Sequence, residues 1–114
     1  MPLNNPISNS DLIDTAAGTT IELANNTEYR RGEVAALTIS LPASLDTRYR
    51  SILCFSSGAS ATTFTDNTTV KWVGDDVVWA TDKYAFVPLI NSRYNIAFIY
   101  VGTIVIACVL AVGI

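Results

Sequence analysis

Large apolar residues recur at every second position in a series of short segments. Ile21 and Leu23 share one face of TTIELA, and Leu37, Ile39 and Leu41 share one face of residues 34–41. In residues 51–57, Leu53 and Phe55 point one way, and Ile52 and Cys54 the other. A period of two predicts half-buried strands. Asn-Asn, Ser-Gly, Asp-Asn and Asn-Ser pairs punctuate the segments as turns. Val70–Val73 and Val77–Trp79 flank Gly74-Asp75-Asp76, which predicts a hairpin turn. Pro88 makes residues 86–90 an edge or irregular piece. No stretch carries a sustained helical stripe.

The most apolar segment is YNIAFIYVGTIVIACVLAVGI, residues 94–114, which carries no charge. Its length suits a membrane-spanning helix, which defines a tail-anchored membrane protein as one reading. Its many β-branched residues and the central Gly102 suit a hairpin better. As a hairpin, its first strand has Ile96, Phe98 and Tyr100 on one face and Asn95, Ala97, Ile99 and Val101 on the other. The second strand is apolar on both faces. A surface strand of a sandwich is normally polar outside. Two apolar faces therefore imply two burials, one in the chain's own core and one against another copy. Ile96, Phe98, Tyr100, Ile104, Ile106 and Val109 are the candidate interface residues.

Together these segments predict an all-β domain: a single antiparallel β-sandwich, jelly-roll-like, over residues 19–114. Residues 1–18 are rich in Asn, Ser, Asp, Pro and Gly and predict an extended N-terminal arm, with at most a short helical turn at residues 11–14.

Composition narrows the function. The chain has 114 residues, a net charge of −3 and 15% charged residues. Arg30-Arg31 and Arg48/Arg50 are too small a basic footprint for nucleic acid. The N-terminus lacks the basic and apolar regions of a signal peptide. Cys54 and Cys108 read as buried free thiols, with a disulfide as the alternative if their strands adjoin. Asn25 and Asn67 begin Asn-x-Thr sequons, which matter only in a secretory setting.

The chain has no histidine. That removes Ser-His-Asp and Cys-His nucleophile activation and the commonest metal ligand. Asp75-Asp76 would point to opposite faces of a strand; turn chemistry explains the pair. Asp66-Asn67 and Asp75-Asp76 lack EF-hand spacing, and there is no phosphate-binding glycine loop. The expectation is a protein that is not an enzyme, with no metal and no cofactor. The residues with binding character are aromatic. Trp72, Trp79 and Tyr84 lie near Asp75, Asp76 and Asp82, a composition that suits stacking on sugar rings with polar groups on the hydroxyls. The plainer reading puts Trp72 in the core and Trp79 on a loop or subunit contact.

The succession EYRRGEVAALTISLP, SILCFSSGASATTFT, VKWVGDD and FVPLINSRYNIAFIYVG resembles the small β-sandwich modules of tailed-phage virion proteins, such as head fibres, tail fibres and baseplate-associated parts. The matching residues are Phe55, Ser57, Gly58, Trp72, Gly74, Pro88, Asn91, Arg93 and Tyr94, within residues 28–114. The sequence departs from the pattern at Val101, where a polar residue commonly precedes the turn glycine, and in the more apolar last strand. The resemblance implies a structural role in a virion: a homo-oligomer, a trimer by analogy, docked on other virion proteins through residues 1–18. Its distal loops would touch a host surface glycan, which makes a carbohydrate- or receptor-binding module the alternative function.

Overall fold

The computed structural model describes residues 12–80 and 83–112. The alternating segments form strands, and their alternation decides which side chains enter the core. The first three are β1 (Leu12–Asp14), β2 (Thr20–Glu22) and β3 (Thr27–Glu33). Next come β4 (Ala36–Ser40), β5 (Arg50–Ser56) and β6 (Thr63–Asn67). After them come β7 (Lys71–Gly74), β8 (Val77–Ala80), β9 (Lys83–Phe86), β10 (Arg93–Val101) and β11 (Ile104–Ala111). The protein is all-β, with several sheets packed together.

From β1 to β6 the chain alternates between two layers. The large sheet has the order β1-β3-β5-β10-β11-β7, and the small one β2-β4-β6. Each of these strands lies parallel to the strand two before it, as in Leu12↔Thr27, Thr27↔Ser51, Ile21↔Ile39 and Leu37↔Phe64. A chain that crosses to the opposite layer and returns comes back pointing the same way. Each strand of one sheet thus serves as the crossover for the other. The all-β, sandwich-like packing of sheets is as expected; only the antiparallel part of the expectation is corrected. Among the described residues antiparallel pairing is confined to β5–β10, β10–β11 and β8–β9, while β7 joins β11 in parallel. Alternation reads the same in parallel and antiparallel strands whenever one face is wet.

Within the expected N-terminal arm, Leu12–Asp14 forms an edge strand of the large sheet and not a helical turn. Arg31 ties it down: its guanidinium donates to the Asp14 carboxylate at 3.1 Å and to the Gly18 carbonyl at 2.6 Å. Residues 1–11 of the expected arm lie outside the described residues.

The core lies between the layers. Ile21, Leu23, Leu37 and Ile39 come from the small sheet and its flank. Tyr29, Leu53, Phe55, Tyr94, Ile96, Phe98, Val105, Ala107 and Val109 come from the large one. Six rings form its centre. Phe86, at the end of β9, packs on Phe64 at 5.1 Å, Trp72 at 5.4 Å and Tyr94 at 4.9 Å between ring centroids. Phe55 and Phe98 extend the cluster. Edge-to-face and offset pairs of this kind add to the burial energy of the rings. Among the described residues every buried side-chain polar atom has a partner. The Tyr49 hydroxyl donates to the Leu23 carbonyl at 2.6 Å, and Ser51 to that of Thr27 at 3.1 Å.

Residues 94–112 do not form a spanning helix: β10 and β11 make a hairpin in register from Tyr94↔Ala111 to Val101↔Ile104. Among the described residues no helix is long and apolar enough to cross a membrane. Gly102, at φ +66°, opens the two-residue loop, where such a hairpin needs positive φ.

Two tyrosines tie stability to alkaline pH. Burial pushes the Tyr49 hydroxyl well above its usual range. Burial, then the hydrogen bond to Asp76, raises that of Tyr94. Both favour the protonated form in the folded state, so their contribution is intact below the unfolded tyrosine pKa of about 10. As pH rises beyond it, the unfolded chain loses protons that the folded one keeps, and stability falls. The thermal midpoint should hold from pH 8 to 9.5 and drop between 10 and 11.5, less steeply in Tyr49→Phe. A flat profile over that range would contradict the assignment.

Candidate functional site

Two surfaces carry the features that the sequence singled out. The first surrounds the β8–β9 hairpin. Gly74-Asp75-Asp76 does not close a hairpin between β7 and β8, as its composition predicts. β7 stays in the large sheet beside β11, and the chain leaves to build a separate hairpin with β9. The turn residues fasten this departure. The Asp75 backbone N–H donates to the Val109 carbonyl at 3.0 Å, and its carboxylate accepts from the Ala111 N–H at 2.9 Å. The Asp76 carboxylate accepts from the Tyr94 hydroxyl at 2.6 Å, and that hydroxyl accepts from the Leu89 N–H at 2.9 Å. Gly74 and Asp76 take positive φ, +112° and +56°.

The expected sugar-stacking set therefore separates. Trp72 is only 5% exposed; its indole N–H donates to Asp66 at 2.6 Å and its ring lies against Phe86. It is a core residue, which corrects its assignment as an exposed platform. Asp75 and Asp76 are engaged in structural hydrogen bonds, and Asp82 lies outside the described residues. Trp79 and Tyr84 remain at the surface, 61% and 55% exposed. They sit directly opposite each other on the hairpin, edge to face at 5.0 Å between centroids. Lys71 and Lys83, which composition did not single out, line the depressions beside them.

The second surface is the outer face of the large sheet. The expected interface residues divide between the two faces. Ile96 and Phe98 are fully buried inside one chain and Val109 nearly so, so they belong to its own core, a correction to their assignment. Tyr100 is half-buried against the same core. Ile104 and Ile106 lie on the outer face, and the registers place Ala97, Ile99, Val101, Cys108, Leu110 and Val73 beside them. Ile99 is 44% and Leu110 55% exposed. Ile52 and Cys54 continue the face onto β5. Polar residues reach it at its margins: Glu28, Arg30, Arg50, Asn95 and Lys71.

The signal for this division was in the sequence. Asn95 falls among the residues alternate to Ile96 and Phe98, and a buried face does not readily take an unpaired amide. Both cysteines also lie on this face as free thiols, Cys54 half-buried and Cys108 exposed, which corrects the expectation that both are buried. Cys54 is on β5 and Cys108 on β11, with β10 between them. Two strand spacings are about 9.5 Å, beyond the reach of a disulfide. Burial, then the nearby Glu28, raises the Cys54 thiol above its usual range.

Among the described residues no group of acidic, cysteine or histidine side chains could hold a metal ion. No family model matches the sequence, and neither a curated protein nor a solved structure matches it.

Proposed function

We propose that this chain is a structural component of a tailed-phage particle and that it works as an assembly of identical copies. The observation that carries the assembly is the outer face of β10, β11, β7 and β5. Ile99, Val101, Ile104 and Leu110 stand exposed there in one continuous patch. Four strands about 4.8 Å apart, with about seven residues each at ~3.3 Å, give a footprint on the order of 450 Å². Doubled across two copies, this approaches the roughly 1,000 Å² at which specific association begins. The occupant that fits is a second copy of the chain. A nearly charge-free sheet face is complementary to itself, with its margin charges left in water, and two such sheets stack about 10 Å apart.

The place in a phage particle rests on the resemblance in residues 28–114. The residues that carry it determine folding. Phe55, Trp72 and Tyr94 belong to the ring cluster, and Gly74 and Asn91 hold positive φ at turns. A shared motif of this kind speaks for a shared module.

The wild-type protein should show a mass at least twice that of the chain in light scattering at tens of micromolar. Ile99→Lys with Leu110→Lys should return it to the monomer with its fold intact, because both sites are exposed and each buried lysine charge weakens the contact. Cys108, at the centre of the face, should be alkylated more slowly in the wild type than in that double variant. A monomer at every concentration would sink the assembly. The particle assignment has its own check. Peptides of this chain should recur in stoichiometric amounts in gradient-purified particles from cells that express it, and their confinement to the unassembled fraction would overturn it.

A further inference from the structure

The β8–β9 hairpin and the edge strand β7 enclose a surface that meets the self-assembly face only along β7, at Lys71 and Val73. Two shallow clefts lie there, both lined by Lys71, Trp72 and Tyr84. One, of about 290 Å³, extends to Val73, Gly74 and Val77. The other, of about 270 Å³, extends to Val70, Trp79 and Lys83. The floor is rigid, because Trp72 is fixed by Asp66 and by its ring contacts with Phe86, Phe64 and Phe98. The walls are the exposed rings of Trp79 and Tyr84.

The polar groups at these clefts select the ligand. Recognition of a neutral sugar uses hydrogen-bond acceptors for its hydroxyls, and none of the described residues lining the clefts carries a carboxylate; those nearby are turned to structural partners. Asp66 accepts from Trp72 and Thr68, Asp75 from Ala111, and Asp76 from Tyr94. Among the described residues the remaining charged groups at the clefts are the ammonium ions of Lys71 and Lys83. These are the chain's two lysines, and neither joins an ion pair among the described residues. Aromatic faces with two free cations and no free carboxylate among the described lining residues suit a sugar ring that carries negative charge. A nucleic-acid strand shares that chemistry. It needs a long basic track, however, and the chain has a net charge of −3.

We propose that the clefts between β7 and the β8–β9 hairpin bind an anionic saccharide, carboxylated or sulfated, with Trp79 and Tyr84 against its ring and Lys71 and Lys83 on its acid groups. The lysines act as point charges rather than forks, so the acid group is held with little orientational demand.

The test is a titration of the full chain, followed by tryptophan fluorescence, with four probes of similar length. They are an oligogalacturonate, a heparin-derived oligosaccharide, a neutral galacto-oligosaccharide and an oligothymidylate. At least one acidic saccharide should bind about tenfold or more tighter than the neutral one, and its affinity should fall as salt rises. Lys71→Gln and Lys83→Gln should each weaken it by about fivefold, and Trp79→Ala by about tenfold. The neutral probe should be insensitive to the lysine changes. All three positions are exposed, so thermal midpoints should stay with the wild type and keep loss of binding distinct from loss of fold. Equal binding of the neutral probe, no saturable binding of either acidic one, tighter binding of the oligothymidylate, or indifference to these substitutions would overturn the site. Trp79 and Lys83 stand on the β8–β9 hairpin, off the self-assembly face, so their substitutions test the site separately from self-assembly.

Discussion

Trp72→Ala is expected to lower stability by about 3–5 kcal/mol, a large share of the roughly 5–15 kcal/mol that a domain possesses. The indole lies at a junction of layers. It meets Phe64 of the small sheet at 5.7 Å, Phe86 of the hairpin at 5.4 Å and Phe98 of the large sheet at 5.9 Å. Truncation opens a cavity that three rings line. It also removes the donor to Asp66, leaving a half-buried carboxylate with one partner fewer. Trp72→Phe keeps most of the packing and loses the hydrogen bond, and should fall between alanine and the wild type. Trp79→Ala should change stability by about 0.5 kcal/mol or less, since a surface substitution creates no cavity; the lost edge-to-face contact with Tyr84 is solvent-exposed. Urea denaturation of the three variants gives the comparison directly. Similar losses for Trp72→Ala and Trp79→Ala would contradict the placement of the two rings.

Gly74→Val should be comparably severe. At φ +112° the backbone adopts a conformation that side chains rarely take. That strain alone costs about 1–3 kcal/mol. A β-carbon there would also press into the Val109 carbonyl oxygen and lie 2.9 Å from its nitrogen. Both atoms are backbone of β11, so relief requires the end of the β7–β11 pairing to open. The Asp75 bonds to Val109 and Ala111 begin one residue later and would open with it. The expected total is about 3 kcal/mol or more. Gly18→Ala is the control, with open space around the new methyl and no positive φ; it should be neutral within about 0.5 kcal/mol. Hydrogen exchange should locate the Gly74 defect, with faster exchange at β7 and the end of β11 than at β3 or β5. Uniform exchange across all four strands would argue that Gly74 has no local role.

These two residues show why the candidate site was only half legible. Trp72 and Trp79 are similar in sequence, each beside a valine and near the same turn. Their opposite fates follow from β7 joining β11 while β8 leaves to pair with β9. That choice depends on strands more than thirty positions away along the chain. The carboxylates were misleading for the same reason. Asp75 and Asp76 stand in a turn that a binding loop would also use, but their partners are Ala111 and Tyr94. The lysines are single charges in strand-like segments, and only the hairpin's placement brings Lys71 and Lys83 to one cleft.

The sequence by itself determined the local structure. Alternation at Ile21/Leu23, Leu37/Ile39 and Leu53/Phe55 marked strands and their buried faces, because side chains on a strand alternate by geometry alone. Gly102 and the β-branched flanks determined the closing hairpin, because a two-residue loop with positive φ is a local requirement. What the tertiary structure alone decided was the pairing. A strand's alternation is the same whether its neighbour runs parallel or antiparallel, and whether that neighbour is next in the chain or two strands on. The two-layer winding of β1 to β6, the burial of Trp72 and the outward turn of Ile99, Ile104 and Leu110 therefore emerged only when the sheets closed on a common core.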